Sequence, residues 1–176
     1  MDVHQFWQLI DDARGRAGDP EDGEAVSAVA SALLSARPRA EIVAAQQVLR
    51  DLMADSYGAP LLAAARVING GTSDDGFEYF RGWLITRGRE VFERAVADPD
   101  TLAELPAVRA AADDGEEREC EAALGIAVDA YFAATGEWIP AGAFTIRYPE
   151  LDGSEHRLPR LEALFEDRDQ AQTVQW

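Results

Sequence analysis

Three carboxylates stand within five residues of one another at Asp74, Asp75 and Glu78, directly after the turn Asn69-Gly70-Gly71-Thr72-Ser73 and directly before a run of aromatic residues. Oxygen ligands at one helix end suit a hard divalent cation, or a carboxylic acid paired with a carboxylate base. The same positions are where a helix leaves its first amide donors unsatisfied, so Thr72, Ser73, Asp74 and Asp75 are each also a candidate N-cap. Both readings remain open at this level. Arg81, which falls at the edge of the apolar arc of the helix that follows, could bind an anionic substrate. As a partly buried guanidinium it also calls for a carboxylate partner, with Glu78, Asp74, Asp75 or an acid from another helix as candidates. Asn69 and Trp83 complete the cluster, one at the turn and one in the aromatic run.

Other chemistry finds less support. Glycines before a helix start suggest a phosphate cradle, but two aspartates at that terminus repel an unescorted phosphate, and neither a P-loop lysine nor a G-x-G-x-x-G spacing is present. His4 and His156 sit at opposite ends of the chain without helical zinc spacing, and no G-x-S-x-G elbow accompanies a serine nucleophile. Cys120 is the only cysteine, which excludes an intrachain disulfide, and its place on an apolar stripe points to packing. The sequence implies no cofactor other than a divalent cation, and that only if the carboxylates form a site.

Composition narrows the partners. The 176 residues carry a formal charge of −17, from 33 acidic and 16 basic groups, and every basic residue is arginine. Such a surface repels nucleic acid and anionic membranes, leaving a basic protein or a metal cation as the charged partner. No apolar run approaches the roughly 18 residues of a membrane span, and the start Met-Asp-Val-His-Gln-Phe-Trp lacks the pattern of an export signal. A cytoplasmic location is expected, and arginine without lysine matches the coding bias of a GC-rich bacterial genome.

The elements that must position the cluster are helices. Asp2 and Gln5 form a capping-box pattern ahead of a helix over about 2–15, and a second runs from about Val26 to before Pro38. A third is expected over 39–56, a fourth from Pro60 to the glycine stop after Asn69, and a fifth over 75–86. The fifth has little polar face and should be enclosed by the others, with Gly82 marking close approach by a neighbour. A sixth ends at Asp98-Pro99-Asp100, a short helix spans about 99–105, and an acidic stretch over 110–121 leads to a long helix closed by Gly136. Beyond Trp138, read with Trp7 and Trp83 as a core anchor, Phe144, Ile146 and Tyr148 alternate and admit a short hairpin, against which Pro149 argues. Leu158 to Phe165 reads as one or two helical turns, followed by ten loose residues with Trp176 exposed. The fold class is mainly α: a compact multi-helix domain over 1–135, with a less regular C-terminal extension over 136–176 packing partly on it.

Three stretches together resemble a known family: the N-terminal D-x-x-x-F-W-x-L-I, the segment I-N-G-G-T-S-D-D-G-F-E-Y-F-R-G-W-L-I, and G-R-E-V-F-E-R-A-V-A-D-P-D from Gly88. They are similar to the bacterial domain of unknown function 4240 family over about residues 1–135. The resemblance implies a helical domain and carries over no catalytic residues. Without a complete catalytic constellation, the sequence points to a protein-interaction or regulatory module with an acidic surface. The alternative is a small metal-dependent enzyme or ligand-binding protein with its site at the corner from Asn69 to Arg81.

Overall fold

Helix starts in this chain are written in capping residues. Asp2 accepts the Gln5 N–H at 2.8 Å while the Gln5 side chain accepts the Asp2 N–H at 2.9 Å, and this reciprocal pair opens α1 (Val3–Arg16). Asp22 accepts from the N–H groups of Glu24 and Ala25 to open α2 (Gly23–Ser35). Helix α3 (Arg39–Asp55) follows Pro38, and α4 (Ala59–Asn69) has Pro60 in its first turn and stops at Gly70, whose φ of 68° only glycine adopts without strain. Next come α5 (Asp74–Thr86) and α6 (Arg89–Ala97), then a 3-10 helix over Pro99–Glu104. Helices α7 (Pro106–Asp114) and α8 (Ala122–Thr135) each end at a left-handed glycine, Gly115 and Gly136. A 3-10 turn over Ala141–Ala143 and α9 (Pro159–Thr173) complete the computed structural model, which describes residues 1–173 and side chains up to Glu166.

The molecule is mainly α-helical, and among the described residues there is no strand. Helix α5 is the central element. It buries Phe77, Phe80, Trp83, Leu84 and Ile85 and touches α1, α2, α3, α4, α6 and α8. Its approach to the chain entering α8 is set by Gly82, where a β-carbon would overlap the Cys120 carbonyl oxygen and stand 3.4 Å from that of Ala123. The Cys120 N–H donates to the Tyr79 carbonyl at 2.9 Å, fixing the same junction. Helix α8 packs most extensively on α2, and Cys120 lies buried beside Ser27. Phe6, Ile10, Leu34, Ile42, Leu49, Ile68 and Ile126 fill the rest of the core.

Four expectations are corrected. Residues 144–148 form no hairpin. They run extended along α3, because their polar backbone groups find a side-chain partner there rather than a second strand. The segment from Pro159 is a full helix rather than one or two turns. Asp100 accepts the N–H groups of Arg160 and Leu161 and so supplies the N-cap from another element. A helix also fills Pro106–Asp114, starting before the acidic stretch expected over 110–121 and taking in its first five residues, with Pro at its start and Gly just past its end. Trp138 is no core anchor: it is 66% exposed and packs on the less exposed Phe132, with ring centres 4.7 Å apart. Helix α9 also takes in 167–173 of the last ten residues, expected to be loose, and Trp176 lies outside the described residues.

Candidate functional site

Helix α5 presents its first two turns to a cleft of about 500 Å³. Asp74, Asp75, Glu78 and Arg81 line it from α5, Arg50, Met53 and Ala54 from α3, and Tyr57 from the connection to α4. Ile146, Arg147, Tyr148 and Pro149 complete the wall. Four of the six residues singled out in the sequence therefore meet in one place, beside a C-terminal segment that the sequence did not connect to them.

The capping question resolves in favour of a neighbour. Ser73 is the N-cap of α5, its hydroxyl accepting the Gly76 N–H at 3.0 Å. Asp74 and Asp75 are exposed residues of the first turn, where the positive end of the helix dipole favours them. Their field is reinforced from nearby. The carboxylate of Glu121, then burial, then Asp75 and Glu78 push the Tyr79 hydroxyl pKa up, while burial first and Glu117 second push up that of Glu119. Among the described residues, no group of three or more His, Cys, Asp or Glu side chains is arranged to hold a metal ion.

Arg81 is only 7% exposed and is satisfied differently from the expected carboxylate pairing. Its Nη1 donates to the Met53 carbonyl at 2.5 Å and its Nε to the Phe77 carbonyl at 3.3 Å. The guanidinium carbon lies 4.7 Å from the Phe77 ring centre and 5.0 Å from that of Tyr57. Burial pushes its pKa down, with Glu78 acting in the opposite sense. Arg81 makes no ion pair within 4.0 Å among the described residues. Glu78 stands instead 4.0 Å from Arg50. Carbonyl dipoles and aromatic faces compensate the buried charge, and the residue braces α3 against α5.

Asn69 and Trp83 lie elsewhere. Asn69 is buried and accepts the Arg118 N–H at 2.9 Å, while Arg118 Nε donates to the Ala107 carbonyl, so this pair ties down the acidic stretch before α8. Trp83 packs under Arg87, whose guanidinium carbon is 5.5 Å from its ring centre, and borders a second hollow with Glu21 and Glu119.

The contacts that sequence reasoning missed are on α3. Gln47, Asp51 and Asp55 recur every four residues and share one helix face. Gln47 grips Thr145 at both backbone groups, its Oε1 accepting the N–H at 2.8 Å and its Nε2 donating to the carbonyl at 3.1 Å. Two residues on, Arg147 donates through Nη2 to Asp55 at 2.7 Å and to the Asp51 carbonyl at 3.2 Å, and its Nε lies 3.5 Å from the Asp51 carboxylate. The guanidinium carbon of Arg50 stands 6.0 Å from the Phe144 ring centre. Residues 144–149 therefore lie as an extended strap along α3, held by a main-chain grip and an arginine seat. The polar row at 47, 51 and 55 was the available signal, but a row of polar residues on a helix face is ordinarily solvated.

Among the described residues no helix is long and apolar enough to cross a membrane. No curated protein and no solved structure shows a significant similarity to the chain. Residues 1–133, which span α1 to most of α8 and leave the strap and α9 outside, match the model of the family described as Protein of unknown function (DUF4240), and the chain belongs to that family.

Proposed function

We propose that the protein is an interaction module whose α3 face of Gln47, Asp51 and Asp55, beside the cleft between α3 and α5, receives an extended, arginine-bearing segment of a basic protein partner. The observation that carries this reading is the double grip of Gln47 on Thr145 with Arg147 seated between Asp51 and Asp55. A side-chain amide that satisfies both polar groups of one backbone unit accepts any sequence, whereas an arginine seat selects charge. Asp74, Asp75 and Glu78 on the opposite wall, and the overall charge of −17, add long-range attraction for a basic partner.

The test uses a fluorescent synthetic peptide of residues 143–149 and the full chain carrying Arg147→Ala, which weakens the internal strap and leaves the face of Gln47, Asp51 and Asp55 intact. Saturable binding that weakens with salt and is lost on adding Gln47→Ala is the expected result. Absence of binding to the Arg147→Ala chain at low salt contradicts the proposal.

A small-ligand reading of the same cleft draws on Arg50, whose Nε has no hydrogen-bond partner among the described residues, together with the three carboxylates. A divalent cation or nucleotide at 100 times its dissociation constant would add about 2.7 kcal/mol of stability. A melting-temperature shift that Asp74→Asn with Asp75→Asn abolishes is the result that favours it.

A further inference from the structure

The strap is anchored where it begins and where it ends, but not along its length. Before it, α8 buries Ile126, Ala127, Ala130 and Tyr131; after it, Leu158, Leu161 and Phe165 enter the core and Asp100 caps α9. Between these anchors, residues 140–150 are exposed apart from the half-buried Phe144, and Tyr148 is 83% exposed. Its hydrogen bonds to Gln47, Asp51 and Asp55 all lie at the surface, where water replaces them at small cost. The segment can leave α3 without opening the core.

The register matches what a separate peptide would need. An extended chain advances about 3.3 Å per residue and a helix about 1.5 Å, so the two residues from Thr145 to Arg147 cover roughly the distance of one helical turn. Arg147 thereby reaches the carboxylates four and eight residues beyond Gln47. Nothing in these contacts depends on the strap belonging to the same chain.

We infer that residues 144–149 are an intramolecular pseudo-ligand, an autoinhibitory strap that a basic, extended partner segment must displace from the face of Gln47, Asp51 and Asp55. This inference rests on the interaction reading above and adds its regulation. Because the strap is tethered beside the groove, it competes at high local concentration, and the apparent affinity of a partner falls by the fraction of molecules that are open. Charge changes on the strap set that fraction.

The experiment compares the labelled peptide of residues 143–149 on the wild-type chain and on Arg147→Ala. Anisotropy titrations are run at equal salt, with hydrogen exchange at the Thr145 amide followed in the wild type. About tenfold tighter binding to Arg147→Ala is expected. Saturating peptide should speed Thr145 exchange in the wild type, since the Gln47 bond that protects this amide is surrendered. Equal affinity for both chains with unchanged Thr145 protection overturns the strap while leaving the groove reading standing. Binding to neither chain overturns both. Circular dichroism confirms that Arg147→Ala is folded, and Arg147→Lys provides a second variant that should fall between the two.

Discussion

Placing a methyl group at Gly82 tests how α5 is seated. A helix normally gains about 1 kcal/mol from glycine to alanine. Here the new β-carbon would overlap the Cys120 carbonyl oxygen, and the Ala123 and Leu124 side chains stand at 3.4 and 3.5 Å. The obstructing atom is backbone, held by the Cys120 N–H bond to Tyr79 at 2.9 Å, so no side chain can rotate aside. Overpacking of this kind costs about 1–3 kcal/mol, and more where backbone must move, so the upper end applies and the net loss is about 2 kcal/mol. For a chain of this size that lowers the melting temperature by about 4–8 °C. Gly15→Ala in α1 is the control, because a β-carbon there meets nothing within 4 Å, and it should be neutral or stabilising by up to about 1 kcal/mol. Urea unfolding followed by tryptophan fluorescence measures both. A Gly82→Ala chain as stable as the wild type would refute the reasoning about this junction.

Three further outcomes follow from the same structure. Gln46 is fully buried and neither atom of its amide has a partner among the described residues, so Gln46→Met should stabilise the chain by about 1–2 kcal/mol, read as a rise in urea midpoint. Burial alone would raise the Asp100 pKa, but the N–H groups of Leu161 and Arg160 and the Arg160 guanidinium outweigh it and hold the carboxylate below its usual range. The stability it contributes is therefore present above the unfolded aspartate value of about 4 and is lost as pH falls through the lower folded value. Asp100→Ala should cost about 2 kcal/mol at pH 7, and the gap from wild type should close below pH 4 in acid-unfolding measurements. Ser73→Ala should cost about 1 kcal/mol by thermal melting, whereas Asp74→Asn with Asp75→Asn should change stability by only a few tenths, since neither aspartate is the cap.

Helices were legible in the sequence wherever their signals were local. The capping box at Asp2 and Gln5, the glycine stop after Asn69 and the aromatic face of α5 each announce themselves within four residues. Helix α7 carried the same kind of signal in Pro106 and Gly115, but its charged C-terminal half, Asp113 and Asp114, masked the short apolar stripe of Val108 and Ala111. Helix α9 depends on Asp100, about 60 residues earlier, for its cap, and the strap depends on Gln47, 98 residues from Thr145, for its backbone partner. Pairings of that range leave no trace in local periodicity. The compensation of Arg81 was misjudged for a related reason, since the Met53 carbonyl and the Tyr57 ring come from outside its helix. The acidic cluster was found as a cluster, yet half of its setting, the α3 row and the strap, had to be supplied by the fold.

The central claim is that the α3 face of Gln47, Asp51 and Asp55 is a seat for an extended, arginine-bearing segment. Its most direct measurement is an amide chemical-shift map of the ¹⁵N-labelled Arg147→Ala chain titrated with unlabelled peptide of residues 143–149. Saturating shifts concentrated at Gln47, Asp51, Asp55 and the first turns of α5 are the predicted result. Shifts scattered over the surface, or gathered at the exposed Phe132 and Trp138 instead, would contradict it.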